Sequence, residues 1–154
     1  MSSREIPGEK KTFKIMSVNI SEEKGVRKHQ VESIELKVGH GIVNDAHAGD
    51  WHRQVSLLAE EDIEIMRKGG VELVWGDFAE NITTEGIVLH ELPVGTLLFI
   101  GDVELEVTQI GKSCHSACEI RKLVGDCIMP KRGIFTKVLK GGTITNENIG
   151  YYHI

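Results

Sequence analysis

The chain has 154 residues, 40% of them hydrophobic and 27% charged, with a formal net charge of −5. Such a length and composition fit one globular domain with a core of its own. There is no apolar run of the roughly 18 residues that a spanning helix needs, and the acidity argues against nucleic acid as the main partner.

The first eleven residues, MSSREIPGEKK, are polar. They lack the apolar stretch of a secretory signal and read as a disordered tail (1–11) ahead of a single domain (12–154). Three cysteines, an odd number without an export signal, point to the cytoplasm and reduced thiols.

Short segments rich in Val, Ile, Leu and Thr, separated by glycines, follow in order. TFKIMSVNI (12–20) is expected as a first strand and VESIELKV (31–38) as a second, joined by the polar SEEKGVRKHQ. RQVSLLA (53–59) reads as a short buried strand. It runs into EEDIEIMRKGG, the clearest helix, expected over about 59–68. Glu60, Glu61 and Asp62 complement the N-terminal end of its dipole, and Arg67 and Lys68 the C-terminal end. Gly69 and Gly70 stop it, and Ala59, Ile63 and Met66 form its apolar face. ENITTEGIVL (80–89) is a further strand, and LLFIGDVELEVTQI (97–110) a hairpin around Gly101-Asp102. SACEIRKLVG (116–125) suits one or two helical turns, and strands over 133–142 and 143–154 close the chain. About seven short strands with one clear helix mean a mainly β protein: a closed or nearly closed barrel with short inserted helices.

Chemistry-bearing residues concentrate in two places. From Ile110 to Gly142 there are seven Lys/Arg and two Asp/Glu, a local +5 on a chain of −5. This stretch holds Cys114, Cys118 and Cys127. Their C-x3-C-x8-C spacing is not the paired pattern of a structural zinc site. Cys127, beside Ile128 and Met129, reads as a buried inert thiol. Cys114 lies between Lys112-Ser113 and His115, where cationic neighbours favour the thiolate. Thiolates prefer soft or tightly bound metals to Mg²⁺. Lys131 and Arg132 form a basic pair on a turn, either a solvated surface or a phosphate contact.

The second place is HGIVNDAHAGDWHRQ (40–54), with His40, His47, His52, Asp45, Asp50 and Arg53. It reads equally as a metal-binding loop or as a polar loop whose imidazoles cap backbone groups. The Arg53 fork suits phosphate or carboxylate. Asn81, in FAENITTEG, occupies a loop-to-strand boundary where Asn commonly forms a turn.

GIVNDAHAGDWHRQVSLL, FAENITTEG, LPVGTLLFIGDVELEVTQIGKSCHSAC and GDCIMPKRGIF, taken together, resemble the MOSC domain, in the short form found in bacteria. The resemblance covers roughly residues 12 to 154. It implies a barrel of the pyruvate-kinase barrel type and an interaction with molybdenum cofactor (molybdopterin), a pterin dithiolene bearing a phosphate. It also implies a cysteine that ligates molybdenum or carries sulfur. An ungapped register from GDVEL makes that residue Cys114, the metal ligand taken here. A gapped register through SAC makes it Cys118. Asn81 matches an Asn near the cofactor, Arg53 and His52 match the basic stretch before the VSLL strand, and with Lys112, His115, Lys131 and Arg132 they are the residues expected in cofactor binding.

The resemblance thus implies a molybdenum cofactor-binding or sulfur-carrier module. Its partners would be the cofactor and the proteins that make or accept it, with no nucleic acid and no membrane. The chain shows no pyridoxal phosphate lysine of the sulfurases. A small molybdenum-dependent reductase of N-hydroxylated compounds is the alternative, and a non-catalytic domain with buried thiols a second one.

Overall fold

The alternation that sequence reading finds in the β-rich segments is the alternation of a barrel wall. The computed structural model describes residues 9–23, 26–68, 70, 72–111 and 132–153. Among these, eleven strands form: β1 (Lys10–Ile20), β2 (His29–Val31), β3 (Ser33–Lys37), β4 (Gly41–Ile42), β5 (Val55–Ala59), β6 (Ile82–Glu85), β7 (Leu97–Ile100), β8 (Val103–Ile110), β9 (Ile134–Lys140), β10 (Gly142–Thr145) and β11 (Ile149–His153). The helix α1 (Glu60–Arg67) follows β5, and a 3₁₀ turn spans Leu89–Glu91.

Seven strands close a ring in the order β11-β7-β8-β9-β5-β6-β1, with β1 returning to β11 over Lys10↔His153 to Lys14↔Ile149. The expected closed barrel is the architecture found. β2 pairs with β1 outside the ring, and β10, β3 and β4 form a small second sheet. Closure needs bent strands. The register shifts in β1 between Ile15 and Ser17, and in β8 between Val107 and Gln109, as at a β-bulge. Val103, Leu105 and Val107 of β8, Leu98 and Ile100 of β7, and Phe13 and Ile15 of β1 share one core with Ile34, Leu36, Ile42 and Ile144 of the small sheet.

β5 is buried along its whole length. Val55, Leu57 and Ala59 belong to the barrel core. Leu58 belongs instead to a second cluster with Ile63 of α1, Leu73, Phe78 and Phe135. A strand covered on both faces reads as a continuous apolar run, which VSLLA is. β5 and β6 are parallel, so a crossover must join them, and α1 lies in it. Burying each such Leu or Ile contributes roughly 1.5–3 kcal/mol.

Boundaries shifted where turns interrupt apolar runs. β1 opens at Lys10 rather than 12. The strand expected over 31–38 divides into β2 and β3 at Glu32, and the last one into β10 and β11. The strand expected over 80–89 ends at Glu85, before Gly86, and its tail becomes the 3₁₀ turn. The helix expected over 116–125 lies outside the described residues.

The closing seam depends on Gly150. A Cβ there would stand 2.2 Å from Cζ of Phe13, whose ring is buried. Gly150→Ala is expected to destabilise the protein by about 1–3 kcal/mol, read from urea unfolding, because the buried ring must shift to admit the methyl group. Unchanged stability would show that the seam is loosely packed.

Candidate functional site

The candidate site lies where β5, β6 and β9 meet. Arg53 lies two residues before β5, Ser56 and Phe135 are register partners on β5 and β9, and Ala79 and Asn81 precede β6. With His47 and Phe78 these residues enclose a cavity of about 20 Å³. That is room for about one water molecule or one anionic oxygen.

Asn81 sets the floor, and it is wholly buried. Its Oδ1 accepts from the Ser56 N–H at 3.0 Å, and its own N–H donates to the Ser56 carbonyl at 3.0 Å. Its Nδ2 donates to the Asn19 carbonyl at 3.2 Å, while the Asn19 N–H donates to the Asn81 carbonyl at 2.7 Å. One residue therefore ties the end of β1 to β5. The turn-forming role expected of this Asn extends to a latch between strands, and its amide is engaged by the fold. Ala79, two residues before, has φ +65, a left-handed conformation that a residue with a Cβ seldom takes. Backbone held in this way clusters at functional loops.

Arg53 forms one wall. Its guanidinium lies 4.7 Å from the Trp51 ring centre and 5.7 Å from that of Phe135. Trp51 is itself anchored, since its Nε1 donates to the His47 carbonyl at 2.9 Å. The Arg53 Nε is buried and takes no hydrogen bond. Among the described residues it is a donor held beside a cavity with nothing to donate to. An anionic oxygen would satisfy it, so the donor set fits a phosphate or another oxyanion.

His47 is oriented by a buried ion pair. Lys28 Nζ lies 2.8 Å from Asp45 Oδ1, with both side chains fully buried, and 3.0 Å from His47 Nδ1. An ammonium can only donate, so Nδ1 is the acceptor and the ring hydrogen of neutral His47 sits on Nε2. Asp45 also accepts from the Ser21 and His47 N–H groups, both at 3.1 Å. Gly76 brings Lys28 this close. Its carbonyl accepts from the Lys28 N–H at 2.8 Å, its φ is +97, and a Cβ would stand 2.4 Å from the Lys28 carbonyl oxygen.

The other expected site residues are placed differently. His52 is exposed; its Nε2 pairs with Gln109 Oε1 at 2.8 Å, and it faces an open groove rather than the small cavity. Arg132 donates to Asp62 of α1 at 3.1 Å, which pins the start of β9 to the helix. Lys112, Cys114, His115, Cys118, Cys127 and Lys131 lie outside the described residues. No cluster of three or more His, Cys, Asp or Glu suited to a metal occurs among the described residues. Ser56, Phe78, Ala79 and Phe135 carry no chemical signature, so only the fold reveals them as lining. Lys28 lies in a polar connection that reads as solvated, and its burial is invisible in the sequence.

This barrel and this rim define a class. The sequence profile of the MOSC domain matches residues 44–148, and the chain belongs to the MOSC domain family, which is generally associated with molybdenum cofactor binding. The YuaD protein from Bacillus subtilis is similar in structure, with a TM-score of 0.78 at 20% identity, over 96% of this chain and 99% of that one. YiiM from Escherichia coli aligns with a TM-score of 0.69 at 16% identity, over 94% of this chain and 70% of its own. YiiM from Geobacillus stearothermophilus gives 0.69 at 17%, over 92% and 75%. Likeness at such identities concerns the fold. No curated protein matches the sequence. No helix among the described residues is long and apolar enough to cross a membrane.

Glu80, next to Asn81, is fully buried. Its Oε2 accepts from Gly76 N–H at 2.9 Å and Thr83 hydroxyl at 2.8 Å, while its Oε1 has no partner. Burial pushes its carboxyl above its ordinary value near 4.5, outweighing the hydrogen bonds that oppose the shift. Below about pH 4.5 the group is protonated in both states. Above it the unfolded chain ionises while the folded one keeps the proton, so stability falls as pH rises toward the folded pKa. Glu80→Gln should flatten that part of a melting-temperature profile, and an unchanged slope would show that Glu80 ionises freely in the fold. Asn81→Ala leaves the Ser56 N–H buried without its side-chain acceptor. It should lower the unfolding free energy by about 1–3 kcal/mol in urea titrations.

Proposed function

We propose that the protein binds molybdenum cofactor at the rim formed by β5, β6 and β9, and that a cysteine thiolate of the segment between β8 and β9 completes the site. The observation that carries this reading is the Arg53 Nε, buried and without a partner beside a cavity of one oxygen's size. An oxyanion of the cofactor would take that donor. The bound group would supply a redox-active metal and its dithiolene sulfurs. The chain supplies the rest: Arg53 neutralises charge, and Trp51 and Phe135 keep its guanidinium from swinging into solvent. Asn81 holds the floor rigid, and His47 offers a ring whose tautomer Lys28 has set.

Topology supports a role for Cys114. The Gly111 N–H donates to the Gly133 carbonyl at 2.7 Å, so the segment between them leaves and rejoins the barrel at one point, two residues from Phe135. Three residues of chain reach at most about 11 Å, which bounds the distance from Gly111 to Cys114. This segment also carries Lys112, Arg121, Lys122 and Lys131 against Glu119 and Asp126. Those cations would lower the thiol pKa and attract the phosphate together. Cys114 would then ligate molybdenum or hold sulfur for delivery to it, with Cys118 as the alternative thiol.

The test is metal and pterin content of protein purified from a host that makes the cofactor. Arg53→Ala should lower both about tenfold or more, the worth of one charge-assisted hydrogen bond. Cys114→Ser should abolish molybdenum retention or persulfide formation, while Cys127→Ser should leave both intact. Equal molybdenum and pterin in wild type, Arg53→Ala and Cys114→Ser would overturn the proposal.

A further inference from the structure

Beside Trp51 lies an open groove of about 360 Å³. It runs between the turn after β3, the loop before β5 and the end of β9. Val38 and Leu139 line it and are 63% and 40% exposed, unusual for apolar residues facing solvent on opposite elements. Trp51 adds aromatic surface, and Asp50, His52 and Lys137 supply the polar edge. The volume falls in the range of about 300–1,000 Å³ typical of small-molecule sites.

Apart from Lys137, the polar edge is one of acceptors. Gln109 Nε2 donates to the Gly111 carbonyl at 2.7 Å, which fixes its amide so that Oε1 faces His52. His52 must therefore donate through Nε2, and its Nδ1 is left as an acceptor in the neutral ring. Asp50 is exposed and forms no ion pair among the described residues. The Lys137 ammonium is paired with Glu106 at 3.5 Å. The groove thus offers an apolar floor, an indole and two hydrogen-bond acceptors, one of them an anion.

From this juxtaposition we infer a binding site for a small aromatic cation, its ring against Val38, Leu139 and Trp51 and its ammonium hydrogens on Asp50 and His52. The site stands on the groove alone and goes beyond the cofactor reading. Trp51 lines the groove and lies against the Arg53 guanidinium, so an occupant of the groove touches the residue that braces Arg53.

The experiment uses cofactor-free protein and benzylammonium, with benzyl alcohol as the uncharged control. The chain has two tryptophans, so a ¹H–¹⁵N spectrum carries two indole signals. Benzylammonium should move the Trp51 signal and spare that of Trp75, whose Nε1 donates to Glu60 at 2.7 Å beside α1. It should bind roughly fivefold more tightly than benzyl alcohol, the scale of one solvent-exposed ion pair. Asp50→Asn should remove that preference, and Leu139→Lys, which places a like charge on the wall, should weaken the cation selectively. Both positions are exposed, and unchanged melting temperatures would confirm the fold. No titration of Trp51, equal affinity for the two probes, or an undiminished preference in Asp50→Asn overturns the inference, whatever the cofactor experiment returns.

Discussion

The hydrogen bonds between Asn81 and Ser56 are the constraint on which the rest of the site depends. β5 and β6 run parallel, and their neighbouring ends must be locked before a pocket can form between them. Asn81 does this with main chain and side chain together, and its further bonds to Asn19 bring in the end of β1. Because the amide is buried, those bonds act in a medium where an unmade partner is costly. The strained Ala79 and the cavity beside it are held by this latch. Ser56 Oγ lies within 3.3 Å of the Ala79 carbonyl as well as 3.2 Å from Asn81 Oδ1.

A second polar cluster lies behind the first. Ser17, Asn19, Glu80 and Thr83 are all fully buried, and Thr83 Oγ1 accepts from Ser17 Oγ at 3.0 Å and from Asn19 Nδ2 at 3.3 Å. It donates to Glu80 Oε2. The network is incomplete, since both Asn19 Oδ1 and Glu80 Oε1 lack partners. Burial raises the Glu80 pKa, which favours the neutral acid over a costly buried carboxylate. The Lys28–Asp45 pair solves the same problem by the opposite route, keeping both charges and satisfying them with Ser21 and His47. One end of the barrel thus contains a buried acid with a raised pKa and a compensated ion pair, both beside the loops that line the cavity.

Trp51 borders two surfaces of different chemistry. Arg53, against its ring, presents a buried cationic donor, and the groove that it lines presents acceptors and apolar walls. The indole is fixed by its bond to the His47 carbonyl, so the division does not rest on a free side chain. His52 and Arg53, adjacent in sequence, line these two surfaces separately.

Much was legible from residue order alone. Alternation in VELEVTQI and the continuous apolar run of VSLLA reflect burial on one face and on two, and the acidic start and double-glycine stop of EEDIEIMRKGG mark α1 within a residue of its ends. The family was readable from motifs, because backbone-bound loops such as GIVNDAHAGDWHRQ and FAENITTEG carry their constraints in their own residues. What the order could not supply was which polar side chains face inward. Lys28, Glu80 and Asn81 look solvated or turn-forming in a linear reading, yet all three are buried, because closure of β1 onto β6 and β11 draws distant polar groups to one end of the barrel. Arg53 and Asn81 were chosen by resemblance and do share a cavity, whereas His52 and Arg132 are engaged elsewhere, by Gln109 and Asp62. Sequence determined the strand pattern, the helix and the family. Only the tertiary structure decided which side of each loop meets the cavity, since that is set by contacts between segments tens of residues apart.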